Sequence, residues 1–170
     1  MIELKYCPQC GKPTLNWDEE KKWSCESCHF VLFNNVAGAV AVLICFEDEI
    51  LFTCRNQEPG KGKLDLSGGF VDPKETAEET CARELFEELK LEVDPSHLQY
   101  LGSGHNVYLY KNIPYQTLDL FYRLELKAKE QLTLEISEIS EIVWLKAKEI
   151  DLDEIAFDSQ KKFLKQYFSL

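Results

Sequence analysis

Two groups of residues in this chain have the types and the spacing to do chemistry. Cys7-Pro8-Gln9-Cys10 and Cys25-Glu26-Ser27-Cys28 are two Cys-x-x-Cys knuckles with 14 residues between them, the spacing of a tetrahedral four-cysteine zinc site. Four thiolates leave no open position on such an ion, so this zinc is expected to be structural. The second group is Arg83-Glu84-Leu85-Phe86-Glu87-Glu88. On a helix, Glu84, Glu87 and Glu88 share one face, while Ala77, Cys81, Leu85 and Leu89 line another that can meet a core. Clustered carboxylates are hard oxygen ligands suited to Mg²⁺ or Mn²⁺. Like charges at this spacing cost only ~0.2–0.5 kcal/mol per pair on an exposed helix, so a merely solvated acidic face is the plain alternative. Context separates the two: a Ser67-Gly68-Gly69 turn precedes the helix, Glu75 stands near its start, and Arg83 can pair with Glu79 or Glu87.

The elements that must position these groups are legible from periodicity. Val36 to Phe46 reads as a buried strand, Ile50 to Arg55 as its neighbour, and Leu64 to Leu66 as a short strand entering the glycine turn. A helix is expected from about Thr76 to Leu89. Leu98 to Gly102, Val107 to Tyr110, Thr117 to Lys127 and Glu141 to Leu145 read as strands, rich in aromatic and β-branched residues. Asp158 to Phe168 is an amphipathic helix with Phe163, Leu164, Tyr167 and Phe168 as its apolar face. Strands interrupted by one central helix and closed by another predict an α/β sandwich.

Residues 1–34 differ in texture, being short, polar and turn-rich, and a segment of this size buries too little apolar surface to fold alone. Metal coordination, worth ~10–16 kcal/mol in comparable peptides, would supply the deficit. The expected division is therefore a zinc ribbon over 1–34 and a second domain over 35–170. His29 is read as a surface residue, and Cys45, Cys54 and Cys81 as small core residues.

Apolar residues make up 45% and charged residues 29% of the 170, which excludes disorder as a reading. The longest apolar run has 11 residues, far short of the ~20 that span a bilayer. Met1 to Lys5 alternates charged and aliphatic residues and is not a secretory signal. A net charge of −11 argues against sequence-independent binding to nucleic acid or anionic lipid. Within the ribbon, Lys5, Lys12, Lys21 and Lys22 face Glu3, Asp18, Glu19, Glu20 and Glu26, so it carries no cationic footprint, although Trp17 and Trp23 could stack bases. Paired cysteines without a disulfide framework point to a reducing cytoplasm.

The central segment resembles the Nudix hydrolases, whose signature is G-x5-E-x7-R-E-U-x-E-E-x-G-U with U aliphatic. Gly69, Glu75, Arg83, Glu84, Leu85, Glu87, Glu88 and Leu91 occupy eight of its nine defined positions at the required spacing. The resemblance extends over about residues 36–168, taking in Arg55, the Leu66-to-Phe70 approach, and Glu141 three residues before Trp144. It implies a Nudix α/β/α sandwich with a mixed sheet. Lys90 stands where the family has a glycine, and lysine at a left-handed helix end should cost on the order of 1 kcal/mol. Ser67 stands where many relatives have proline and is expected only to loosen the turn.

The family implies cleavage of the pyrophosphate in a nucleoside diphosphate linked to another group, of NADH/NAD or ADP-ribose type. It places Mg²⁺ or Mn²⁺ on Glu84, Glu87, Glu88, the Gly68 carbonyl and a later glutamate, best matched by Glu141. Arg83 joins these as a catalytic-site residue, with Glu84, Glu87 or Glu141 as the base. Arg55, Gly69 and Glu75 are candidate substrate contacts; for Arg55, an ordinary ion pair is an equal alternative. A four-cysteine ribbon ahead of such a domain looks most like the NADH pyrophosphatase branch, whose Ser-Gln-Pro-Trp-Pro-Phe-Pro-x-Ser run is replaced here by Gly102 to Tyr110. Tyr108, Tyr110, Tyr115 and Phe121 are candidates for stacking a base, and His97 and His105 are read as surface or loop residues. Relatives with this ribbon imply a homodimer. The rival reading is a non-catalytic nucleic-acid- or protein-binding module on the same scaffold, which would have no need of the intact glutamate set.

Overall fold

The structure is a computed structural model that describes residues 4–170. The first three residues of the Met1 to Lys5 stretch lie outside it. No helix among the described residues is long and apolar enough to cross a membrane.

The N-terminal segment forms a three-stranded antiparallel sheet, β1 (Leu15–Trp17), β2 (Lys22–Cys25) and β3 (Val31–Phe33). Its small core consists of Cys7, Leu15, Trp23 and Cys25. Trp17 packs on Trp23 with ring centroids 4.5 Å apart, so both expected base-stacking rings are engaged with each other.

The rest is built on a six-stranded mixed sheet. Its strands are β4 (Ala37–Phe46), β5 (Glu49–Arg55), β6 (Leu64–Asp65), β7 (Gln99–Tyr110), β8 (Ile113–Glu125) and β9 (Ile139–Lys146). The two helices are α1 (Ala77–Leu89) and α2 (Asp158–Phe168). β4 runs parallel to β8 and antiparallel to β5. Alternation along β4 assigns the two faces. Val40, Val42 and Ile44 pack with Cys81, Leu85 and Leu89 of α1, whereas Ala41, Leu43 and Cys45 pack with Phe121, Ile155 and Leu164 on the α2 side. This is the expected α/β/α sandwich, and each fully buried leucine contributes roughly 1.5–3 kcal/mol.

One edge of β5 is taken along its length by β9. Its other edge meets β4 only through Glu49–Leu51, then diverges and meets β6 at Thr53 and Cys54. The chain leaving β6 bridges back to β4 at Val42↔Ser67 and Ala39↔Phe70. The glycine turn is thus wedged into a split between two central strands, which is what carries it to the end of α1.

Two segments differ from the sequence expectation. Leu98 to Gly102 and Val107 to Tyr110 are parts of one long strand, β7, paired with β8 in a hairpin and bulged between Tyr100 and Gly102. Glycines that looked like a break instead admit close packing, since a Cβ on Gly104 would sit 3.4 Å from Phe121 and 3.6 Å from Ser159. Phe121 is not available to a ligand, being fully buried and stacked on Phe163 at 4.0 Å.

Candidate active site

α1 begins at a capping box: Thr76 Oγ1 accepts from the Glu79 amide at 3.2 Å, and Glu79 Oε2 accepts from the Thr76 amide at 2.8 Å. Glu79 is therefore occupied at the cap and does not pair with Arg83. At the other end Lys90 takes the left-handed conformation, φ 56° and ψ 29°, as the family glycine implied. Its amide donates to the Leu85 and Phe86 carbonyls, and its Nζ donates to the Glu87 carbonyl at 3.2 Å. A cation on orphaned helix carbonyls offsets part of the backbone strain.

Arg83 organises the carboxylates. It grips Glu75 with Nε and Nη2 (2.8 and 3.1 Å), reaches Glu84 and Glu87 with Nη1 (2.8 and 3.1 Å), and donates to the Phe70 carbonyl at 3.0 Å. The guanidinium holds the Glu75 carboxyl down to about 2. Glu75 also accepts from Thr80 at 2.9 Å, and it does not line the cleft. Its place is to brace Arg83, not to touch a substrate.

Glu88 has no cationic partner among the described residues. Its Oε2 accepts from the Ser67 hydroxyl and from the Gly68 amide at 3.2 Å. Ser67 is buried, so it does more than loosen the turn: it orients this carboxylate. Burial pushes the Glu88 carboxyl up to about 8 and raises that of Glu84 as well. Gly68 is required for this approach, and Gly69 leaves room for Glu84 where it stands. A Cβ on Gly68, at φ +153°, would run into the Val40 carbonyl, and one on Gly69 would strike the Glu84 carboxylate.

Glu84, Glu87 and Glu88 line a cleft of about 360 Å³ that also holds Gly68, Gly69, Arg83, Glu135 and Glu138. Glu141 does not line it. The segment before β9 is hydrogen-bonded onto the end of α1, Thr133 N to Leu89 O and Glu135 N to Glu88 O, which brings Glu135 and Glu138 to the site. β9 then bulges: Arg55 pairs with Ile139 but Cys54 with Glu141. Glu138, in the turn just before β9, lines the cleft, whereas Glu141, paired with Cys54 within the strand, does not. Sequence spacing offered no signal for that bulge.

The donor set suits hard divalent cations. Glu84, Glu87, Glu88 and Glu138 supply carboxylate oxygens and Gly68 a carbonyl, and two of these acids are raised by burial that Arg83 alone does not compensate. Among the described residues only the four cysteines have ligand atoms all within 4.8 Å of one another. The glutamates line a wall instead of a closed cage, a form that suits ions whose remaining positions go to water and substrate phosphate.

Arg55 lies in the cleft but is already paired, its Nη1 2.5 Å from Asp65 Oδ2 and its Nε donating to the Pro59 carbonyl at 2.7 Å. Gln160 donates to the other Asp65 oxygen at 2.6 Å, tying α2 to β6. Asn106, Tyr108, Asp119 and Phe157 also line the cleft. Beside it, Phe70, Tyr108, Tyr110 and Tyr115 enclose a recess of about 320 Å³. His105 meets Gln116 at 2.6 Å on the surface, and His97 sits in a single 3-10 turn.

In the ribbon, Cys7 and Cys28 sulfurs are 3.6 Å apart and Cys10 and Cys25 sulfurs 3.7 Å apart, an arrangement that could hold a metal ion. Each knuckle closes by a backbone bond, Gly11 N to Cys7 O and His29 N to Cys25 O. His29 is exposed and outside the cluster. The Thr14 hydroxyl beside Cys25 holds its thiol down to about 6.

A family model for the NUDIX domain matches residues 35–167, and the chain belongs to that family. Among curated relatives it is 34% identical to the NAD-capped RNA hydrolase NudC of Pseudomonas fluorescens over 101 residues, 59% of this chain and 36% of that protein. The NudC of Pseudomonas entomophila is 33% identical over the same shares. The chain thus spans little more than a third of the length of these relatives. Among solved structures, a NUDIX hydrolase from Nitrosomonas europaea superposes with a TM-score of 0.69 at 25% identity, covering 98% of this chain and 91% of that one. The NUDIX domain of Shewanella oneidensis NrtR, solved with ADP ribose, superposes with a TM-score of 0.63 at 20% identity, covering 81% and 89%. At that identity the likeness establishes the fold alone.

Proposed function

We propose that this chain is a divalent-metal-dependent nucleotide pyrophosphatase that cleaves the diphosphate of an NAD(H)- or ADP-ribose-type dinucleotide. The observation that carries this reading is a single cleft lined both by the carboxylates Glu84, Glu87, Glu88 and Glu138 and by polar and aromatic side chains, Asn106, Tyr108, Asp119 and Phe157. A dinucleotide brings a diphosphate and rings together in one molecule, which this mixed lining suits.

Glu84, Glu87, Glu88 and Glu138, with the Gly68 carbonyl, are the groups that would hold Mg²⁺ or Mn²⁺. When bound, such ions neutralise diphosphate charge and make water a better nucleophile. The chain's own part is positional. Ser67 and the Gly68 amide fix Glu88, Arg83 fixes Glu84 and Glu87, and Glu75 fixes Arg83. One of the remaining carboxylates, Glu84, Glu87 or Glu138, takes the proton from the attacking water. Arg55 keeps an Nη2 with no partner among the described residues and is the candidate phosphate contact.

In the N-terminal segment we assign a structural zinc to Cys7, Cys10, Cys25 and Cys28. A tetrahedron with Zn–S bonds of about 2.3 Å has S–S edges of about 3.8 Å, close to the 3.6 and 3.7 Å separations seen here. We take 1–34 as the ribbon and 35–170 as the catalytic domain, in a cytoplasmic protein that pairs as a homodimer.

The test is product chromatography after incubation with NADH, NAD, ADP-ribose, diadenosine polyphosphates and NAD-capped RNA, in Mg²⁺ or Mn²⁺ and then in chelator. Mononucleotide products that vanish with chelator are expected. No turnover of any of these would overturn the proposal.

A further inference from the structure

The cleft contains two polar side chains that the hydrolytic chemistry does not use. Asn106, 8% exposed, lines the cleft, and its amide has no hydrogen-bond partner among the described residues. An amide carries two donors and two acceptor sites, and these remain open to a ligand that enters the cleft. Asp119, 7% exposed, lines the same cleft without a cationic partner among the described residues. Its Oδ1 accepts only from Thr117 Oγ1 at 2.6 Å and its Oδ2 only from Ser159 Oγ at 2.5 Å. Each oxygen keeps a free lone-pair direction.

Asp119 on β8 is flanked by Gly104 of β7 on one side and Ala39 of β4 on the other, two small residues. Asn106 is opposite Thr117, the residue whose hydroxyl holds Asp119. Tyr108 and Phe157, 5.8 Å apart, wall the same cleft and offer faces to a planar ring.

We infer that Asn106 and Asp119 together select a planar ring bearing an exocyclic NH2 beside a hydrogen-bond acceptor. Asparagine reads such an edge with two bonds, as it does the N6/N7 edge of adenine, while a carboxylate accepts a further N–H and repels a carbonyl or carboxylate in its place. Within the proposed dinucleotide reading, on which this inference rests, two groups have that chemistry: the adenine amino edge and the carboxamide of nicotinamide. Deamination of either replaces the NH2 by an oxygen that faces Asp119.

The experiment measures kcat/KM of the full chain for two matched pairs: ADP-ribose against its hypoxanthine counterpart, and NAD against its nicotinic-acid counterpart. One pair is expected to differ by about 10–100-fold in favour of the amino or amide form, the range set by one unmet buried polar group. Which pair differs identifies the ring. Asn106→Leu should shrink that preference to within about threefold, and Asp119→Asn, which can donate to an oxygen, should raise activity on the deaminated member. A gain on one substrate is not a product of general damage to the fold. Equal use of both members of both pairs by the unmodified protein overturns the inference while leaving the pyrophosphatase reading intact. The same holds if the preference survives in both variants. Absence of turnover on all four substrates overturns both.

Discussion

The hydroxyl of Ser67 donates to Oε2 of Glu88, joining the turn wedged between β4 and β5 to the half-buried carboxylate of α1. Removing that donor leaves a carboxylate oxygen with one fewer partner in a poorly solvated place, a cost of ~1–3 kcal/mol. Ser67→Ala is therefore expected to lower kcat by about tenfold or more and to raise the Mg²⁺ concentration needed for half-maximal rate, with secondary structure unchanged by circular dichroism. Unaltered kinetics would remove Ser67 from the account of the site.

Glu88→Gln retains the size and the acceptor oxygen that Ser67 and Gly68 use but removes the charge. At saturating Mg²⁺ its rate should fall by roughly two to three orders of magnitude. Glu138→Gln should also slow turnover, whereas Glu141→Gln should stay within about twofold of the parent. The opposite ranking of the last two would restore Glu141 to the site.

Tyr122 donates its hydroxyl to Glu78 Oε1 at 2.8 Å, and this bond holds the Glu78 carboxyl below its usual range. A depressed folded-state pKa contributes stability that is present above the unfolded value, about 4.3, and is lost as pH falls through the folded value. Glu78 is well solvated, so the hydrogen bond should sit at the low end of ~0.5–1.5 kcal/mol. Tyr122→Phe is expected to lower Tm at pH 7, with the difference from the parent shrinking below about pH 4. A difference that stays constant down to pH 3 would show that the hydroxyl acts independently of the Glu78 charge.

Lys90 holds a backbone conformation that favours glycine, offset by its bond to the Glu87 carbonyl and its position 5.2 Å from the Phe86 ring centroid. Lys90→Gly should stabilise by at most about 1 kcal/mol and leave kcat unchanged, as read by thermal melts and steady-state assays. Altered turnover at constant Tm would give this residue a role in catalysis that its position past the last carboxylate does not predict.

The four ribbon cysteines should bind about one zinc ion per chain, read by metal analysis after dialysis. Cys7→Ser or Cys25→Ser should lose the ion, and the ribbon with it, since coordination is worth more than so small a core can replace. Full retention of zinc by both variants would place it elsewhere.

What the amino-acid sequence determined by itself is whatever depends on short separations along the chain. The glutamate face of α1 follows from 3.6-residue periodicity, the left-handed end at Lys90 from the family glycine position it occupies, and the two knuckles from their Cys-x-x-Cys spacing. Only the tertiary structure decided which distant groups join them. The docking of the turn before β9 onto α1 put Glu138 and not Glu141 at the cleft, the wedge between β4 and β5 turned Ser67 into a partner of Glu88, and strand register set Asn106 near Asp119 between glycine and alanine neighbours. The reason is physical: helix and turn geometry is set within a few residues, whereas strand register and the face a residue presents depend on pairing between segments far apart, where a one-residue offset reverses the outcome.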